Sequence, residues 1–356
     1  MPIETPDVLV VGLGPAGSRA AATAAAAGLS VVALERRPTA GAPVQCAEFV
    51  PALIEHDVPG VHTVTEQKVT RMLTFIGGRR PEVTEHFRGL MIDRGAFDRM
   101  LAHEAAWNGA ECRYGESVTS VGADGTLTTS AGARLRPKVL IGADGPHSRV
   151  GVAIGAVNRD LVDTRQVTVP LILPHDATDI FLSPDYFGGY AWLFPKGAVA
   201  NIGLGVAVEA RQLLKPMLDA LCKKLADERR IGTRAFALTG GAIPVGGRLR
   251  SVGRLGGIVV LLAGDAAGLT NPVTGAGIAS AVQSGALAGQ AAADFLGDCA
   301  GAINDYEEEL GDIFDAALNR ALRRRRDLLA CYAAGGRPGT RALSDGWISS
   351  PQYWAA

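Results

Sequence analysis

The chain has 356 residues, 47% of them hydrophobic, which is enough for two domains with ample core. Lys plus Arg (35) and Asp plus Glu (36) leave a formal charge of -1, so there is no field to draw in nucleic acid. Cys46, Cys112, Cys222, Cys299 and Cys331 form no CxxC pair and no His-rich group, so neither a disulfide framework nor a metal site is encoded and a reducing cytoplasm fits.

The first residues carry no basic leader and no apolar signal core. The longest apolar runs, such as 258–263, stop well short of the roughly 20 residues a membrane helix needs. Residues 7–11 read as a buried strand, followed by Gly12-Leu13-Gly14-Pro15-Ala16-Gly17, a helix over 16–27 and a strand over 30–34 that ends at Glu35. This is one βαβ unit of a parallel, doubly wound sheet. Gly12 permits the sharp turn, Gly14 lets the backbone approach a pyrophosphate, and Gly17 brings the helix close to the sheet. Glu35 stands where a carboxylate accepts hydrogen bonds from ribose hydroxyls and would repel a ribose phosphate; Arg36 and Arg37 follow it without replacing it.

Residues 43–48 read as a loop leaving the nucleotide-binding strand, which puts Cys46 beside the cofactor, either as a small buried hydrophobe or in a chemical role. Strands over 69–76 and 83–92 and a helix over 95–108 come next. A β-meander over 118–135 and a strand over 138–141 lead to a second fingerprint, Gly142-Ala143-Asp144-Gly145. Strands over 166–173, 180–183, 189–194 and 198–206 suggest an antiparallel sheet with an apolar face, completed by a helix over 209–229. A strand over 258–263 leads to a third fingerprint, Gly264-Asp265, and a helix over 275–295. In a last helix over 302–330, Tyr306, Leu310, Phe314, Leu318 and Leu322 share a packed face, while Arg323 to Arg326 are a solvated end or a contact for anionic headgroups.

Three glycine fingerprints, each behind a buried strand, together specify FAD. The expected fold is α/β: a doubly wound, Rossmann-type FAD-binding domain (1–68, 93–160 and 255–300), an inserted, mostly antiparallel β substrate domain (69–92 and 161–254) and a C-terminal helical segment (301–356).

This order of motifs around an inserted β domain resembles flavoproteins of the para-hydroxybenzoate hydroxylase fold. Three further segments are similar to the geranylgeranyl reductase family: Cys46-Ala47-Glu48, Arg94-Gly95-Ala96-Phe97-Asp98, and Tyr190-Ala191-Trp192-Leu193-Phe194-Pro195 followed by Asn201-Ile202-Gly203-Leu204-Gly205. A related aromatic block occurs in flavin-dependent halogenases. By alternation alone, Tyr190, Trp192 and Phe194 share one strand face and are either plain core or a pocket wall. The resemblance implies the wall of an isoprenoid pocket. It also implies FAD contacts at Ala16, Glu35, Cys46, Ala47, Arg94, Val118, Asp265, Gly277 and Ile278. Asp265 would accept hydrogen bonds from the ribityl chain, and the helix starting near Gly277 would aim its N–H groups at the flavin pyrimidine edge. Arg94 either offsets cofactor charge or pairs with Asp98, and Asp144 shapes its turn and meets the cofactor only indirectly. Phe49 departs from the family, which usually has glycine there.

The implied activity is reduction of carbon-carbon double bonds in a prenyl chain on a lipid, chlorophyll or quinone precursor, with Cys46 as the catalytic candidate, a proton donor or a positioning group. NAD(P)H or a redox protein would supply electrons, and a lipid substrate implies peripheral contact with the inner face of the membrane. Monooxygenases of small or aromatic substrates share the fold, and a flavin electron carrier needs the same motifs, so both readings stay open.

Overall fold

The structure, a computed structural model, describes residues 2–355. The first fingerprint forms as its glycines dictate. Val8–Val11 is a fully buried strand, Gly12 turns at φ +97, and Pro15–Ala26 is a helix with Pro15 in its first turn. A Cβ on Gly17 would stand 1.7 Å from the Gly12 carbonyl oxygen, so only glycine lets this helix lie so close to the turn.

Six strands make the nucleotide-side sheet, in the order Val252–Leu255, Ile258–Leu262, Val139–Gly142, Val8–Val11, Val31–Glu35 and Glu111–Tyr114. All neighbours are parallel except the first pair. Because Val8–Val11, Val139–Gly142 and Ile258–Leu262 run side by side in one direction, the three fingerprints emerge at the same sheet edge, where doubly wound folds bind ligands.

The larger sheet runs Ala237–Thr239, Leu161–Pro170, Val199–Ala207, Ala191–Lys196, Ala177–Leu182, Arg71–Ile76 and Glu82–Thr84, with Ala242–Pro244 also on Leu161–Pro170. It is antiparallel apart from the pairing of Ala177–Leu182 with Arg71–Ile76. On one face Val167, Ala191, Leu193 and Leu204 pack with Leu214, Leu218, Leu221 and Leu225 of the helix Leu214–Asp227. On the other, Met72, Ile180, Trp192 and Phe194 pack with Leu343 and Trp347 from the C-terminal segment.

Several boundaries differ from the sequence reading. The strand expected over 83–92 is two strands in different sheets, because His86 takes a left-handed φ of 60 between Glu82–Thr84 and Gly89–Ile92. The helix expected over 209–229 starts as a 3-10 turn, Val208–Leu213. The one expected from 275 begins at Ile278, since Gly275 is left-handed at φ +70. The long C-terminal helix is interrupted by a π-helical turn, Gly311–Asp315, where Arg248 pairs with Glu307 before the turn and Asp315 at its end. Two of the four consecutive arginines are not at a solvated end: Arg324 donates to the carbonyls of Gln352, Tyr353 and Ala355, and Arg325 donates to that of Gly188.

Candidate functional site

The cradle at the first fingerprint is built from all three. A Cβ on Gly12 would meet the Ala143 carbonyl oxygen at 2.4 Å, and one on Gly264 would meet the Ala16 Cβ at 3.0 Å, so the fingerprints lie in contact. Gly14 faces the other way, with nothing within 4 Å of a Cβ there. The helix behind it has no side-chain cap, so its first N–H groups near Ala16 are free to meet an anion. At the tip of Val31–Glu35 the Glu35 carboxylate accepts from the Leu13 N–H and the Arg37 N–H, both at 3.0 Å, and keeps further lone pairs for hydroxyl donors. The Glu35 carbonyl accepts from the Glu116 N–H at 3.0 Å, which brings the strand Val118–Val121 and buried Val118 to this end. An open approach at Gly14, uncapped helix N–H groups and a carboxylate at the strand tip are what a dinucleotide demands, and FAD fits the residues present.

Asp144 turns toward its own chain. Its carboxylate accepts from the hydroxyl of Ser148, the residue that caps the short helix Arg149–Ala153, and, at 2.7 Å, from the Arg149 N–H at the start of that helix. Burial holds its pKa above the ordinary carboxylate range despite those hydrogen bonds.

A second group gathers where the two sheets face one another. Burial pushes the Asp265 carboxyl up, opposed by the Thr270 hydroxyl donating at 2.7 Å and by the Arg94 charge. Gly277 caps the helix Ile278–Leu296 without a side-chain bond, and a Cβ there would reach the Thr270 hydroxyl at 2.8 Å and the Asp265 carboxylate at 3.2 Å. Arg94 makes the bidentate pair with Asp98 that the sequence allowed, at 2.9 and 3.0 Å. Burial opposes the Arg94 charge, but Asp98 and the Cys46 sulfur outweigh it and raise the guanidinium pKa. Tyr190 donates to the Thr274 carbonyl at 2.6 Å; burial, and then the neighbouring Cys46, push its hydroxyl pKa up. Arg94 thus lies within electrostatic reach of both Asp265 and Cys46, and Cys46 of Tyr190, with Gly277 packed beside Asp265.

The loop carrying Cys46 and Ala47 is held by Gln166 and Lys196, which the sequence reading did not single out, and by Glu48 and Asn201, which it quoted only as parts of family segments. Gln166 donates to the Cys46 carbonyl at 2.9 Å, and Asn201 donates to the Ala47 carbonyl at 3.3 Å. The Glu48 carboxylate takes donors from Arg94 N–H, Lys196 and Asn201. The available signal was polarity out of place at one of them: Asn201 interrupts the otherwise apolar strand Val199–Ala207 and is fully buried, whereas Gln166 sits in a strand of mixed polarity and gave none.

Tyr190, Trp192 and Phe194 do share one face, and they belong to a longer aromatic run. Ring centroids lie 5.5 Å apart for Phe87 and Phe49, 5.8 Å for Phe49 and Phe194, 6.1 Å for Phe194 and Trp192, 5.7 Å for Trp192 and Tyr190, and 4.8 Å for Tyr190 and Trp347. Phe49 thus turns its ring onto Phe87 and Phe194.

Residues 164–242 match the family model described as the geranylgeranyl reductase catalytic domain. A digeranylgeranylglycerophospholipid reductase of Methanocella arvoryzae is 34% identical, over 88% of this chain and 85% of its own length. Another from Methanosarcina acetivorans is 31% identical, over 85% and 78% respectively. The crystal structure of a geranylgeranyl bacteriochlorophyll reductase-like protein from Thermoplasma acidophilum superposes with a TM-score of 0.82 at 28% identity, covering 92% of this chain and 88% of that one. PqsL of Pseudomonas aeruginosa, described as a probable FAD-dependent monooxygenase, shares the fold at a TM-score of 0.70 and 18% identity, over 92% of this chain and 96% of its own.

Proposed function

This chain belongs to the geranylgeranyl reductase family, and from that premise we propose that it is an FAD-dependent oxidoreductase that saturates carbon-carbon double bonds of a prenyl chain carried by a lipid. The observation that carries this reading is the aromatic run from Phe87 to Trp347, packed in one apolar cluster with Ala47 of the loop that holds Cys46, along which a hydrocarbon chain would lie.

The chemistry that FAD would supply here, when bound and reduced, is hydride for one alkene carbon. The residues do the rest. Gly12, Gly14, Ala16 and Gly17 take the diphosphate, Glu35 the ribose, Val118 the adenosine end, and Asp265 the ribityl chain. The helix starting at Ile278 presents its free N–H groups, and Arg94 adds positive charge, where negative charge accumulates. Cys46, with the Glu48 N–H donating to its sulfur at 3.1 Å, holds the proton for the second carbon at Sγ or fixes the chain beside it. Trp192 and Phe194 exclude water, which an isolated alkene requires because it accepts hydride poorly and depends on close placement.

Electrons reach the site from transiently bound NAD(P)H or from a redox protein. The enzyme works in the cytoplasm and meets the inner face of the membrane peripherally to collect its lipid; exposed Arg323 and Arg326 supply charge for anionic headgroups. Among the described residues no helix is long and apolar enough to cross a membrane.

Anaerobic reduction of the flavin-loaded protein, followed by addition of a geranylgeranyl lipid, tests the activity. Flavin reoxidation coupled to a gain of hydrogen by mass spectrometry is the expected result. Oxygen consumption stimulated by a small aromatic compound would overturn it in favour of hydroxylation. Flotation with anionic and neutral vesicles tests the membrane contact, and absence of binding to both removes it.

A further inference from the structure

Glu48 stands in a conformation an ordinary side chain rarely adopts. Its φ is 69, in the left-handed region that costs a residue with a Cβ roughly 1–2 kcal/mol. Its side chain is almost fully buried, and burying a carboxylate is unfavourable unless the charge is paired and its lone pairs are occupied. Here both conditions are met by donors from three separate elements. One oxygen accepts the Arg94 N–H at 3.0 Å, from the start of the helix Arg94–Trp107, and the Lys196 ammonium at 2.9 Å, from the end of Ala191–Lys196. The other accepts the Asn201 amide at 2.9 Å, from Val199–Ala207.

The backbone of the same residue is engaged as well. The Glu48 carbonyl accepts the Ile92 N–H at 2.9 Å, and its N–H points back to the Cys46 sulfur at 3.1 Å. The left-handed turn at Glu48 is thus what brings that N–H onto the thiol, and the three side-chain donors are what hold the turn. Among the described residues the ammonium of Lys196 has no other ion pair, so the two buried charges depend on each other.

We infer that Glu48 is the positioning residue for Cys46: its buried carboxylate, locked between Arg94 N–H, Lys196 and Asn201, fixes the left-handed turn that places the Cys46 thiol between the large sheet and the nucleotide-binding half. This rests on the reading that Cys46 borders the reaction space. Glu48 touches neither cofactor nor substrate in this role, and acts only through the thiol.

The test uses the flavin-loaded full chain with E48Q, in which the new amide nitrogen faces the Asn201 amide donor, and with E48Q/N201D, which transposes the carboxylate and restores a donor opposite an acceptor while giving up the weaker bond to the Ala47 carbonyl. Two quantities are read: the iodoacetamide alkylation rate of each cysteine, resolved by peptide mass spectrometry, and kcat and KM for prenyl reduction. E48Q is expected to speed alkylation of Cys46 roughly tenfold by loosening the loop, with Cys112, Cys222, Cys299 and Cys331 unchanged. It should lower kcat roughly 10- to 100-fold with KM nearly constant, as misplacement of a reacting group does. The double variant should recover both in part. Cys46 alkylation at the wild-type rate in E48Q overturns the proposal, whatever happens to kcat. Should E48Q not fold, K196M is read in the same way, with the same expected and overturning results. Faster Cys46 alkylation in a protein whose wild type reduces no prenyl lipid upholds the positioning role and sinks the functional reading instead.

Discussion

Trp192 and Cys46 are tied together through a single side chain: Gln166 accepts the Trp192 indole N–H at 3.0 Å and donates to the Cys46 carbonyl at 2.9 Å. The aromatic run and the loop carrying Cys46 therefore hold a fixed relation. Gln166→Leu keeps the volume and strands both partners, the buried Trp192 indole N–H and the half-buried Cys46 carbonyl. The expected loss of stability is about 2 kcal/mol or more, measured by urea denaturation.

Gly14 and Gly17 separate folding from cofactor binding. A methyl on Gly14 meets nothing within 4 Å, and its φ of -75 suits alanine, so Gly14→Ala should melt at the wild-type temperature. It should still obstruct the pyrophosphate, at about 1–3 kcal/mol, or roughly a 5- to 150-fold loss of FAD affinity in a fluorescence titration. Gly17→Ala drives a methyl into the Gly12 carbonyl and should lower the melting temperature itself.

Trp347 is buried against Tyr190, yet its indole nitrogen has no hydrogen-bond partner among the described residues. A buried unsatisfied donor is unfavourable by about 1–3 kcal/mol. Trp347→Phe removes the donor and keeps an apolar ring, so thermal stability should hold or rise. Trp347→Ala, which empties the space, should cost about 3–5 kcal/mol by the same measurement.

Lys138, 2.7 Å from Asp7, and then the N–H and hydroxyl of Ser30 hold the Asp7 carboxyl down to about 2. A carboxyl whose folded pKa lies below its unfolded value stabilises the fold above about pH 4 and surrenders that contribution as pH falls toward 2. With the pair partly in solvent, Asp7→Asn should cost about 1 kcal/mol at neutral pH and flatten the loss of stability between pH 4 and 2, as followed by circular dichroism.

The sequence by itself determined whatever depends on short-range geometry. The Gly12–Gly17 turn, Glu35 at a strand tip and the alternation of Tyr190, Trp192 and Phe194 are local consequences of glycine sterics and strand period, so each was legible before any coordinate. Hydrophobic period also located most elements, but it failed at His86 and at Gly311–Asp315, where a left-handed residue and an arginine bridge redirect the backbone without changing the apolar pattern. Tertiary structure alone decided the lock on Cys46. Gln166, Lys196 and Asn201 lie more than a hundred residues along the chain from the loop they hold. A buried polar side chain acquires meaning only from the partner that satisfies it, and that partner is chosen by how the two sheets pack. The same packing turned Phe49 onto Phe87 and brought Trp347 from the far end of the chain to extend the aromatic run, which spacing along one strand could not disclose.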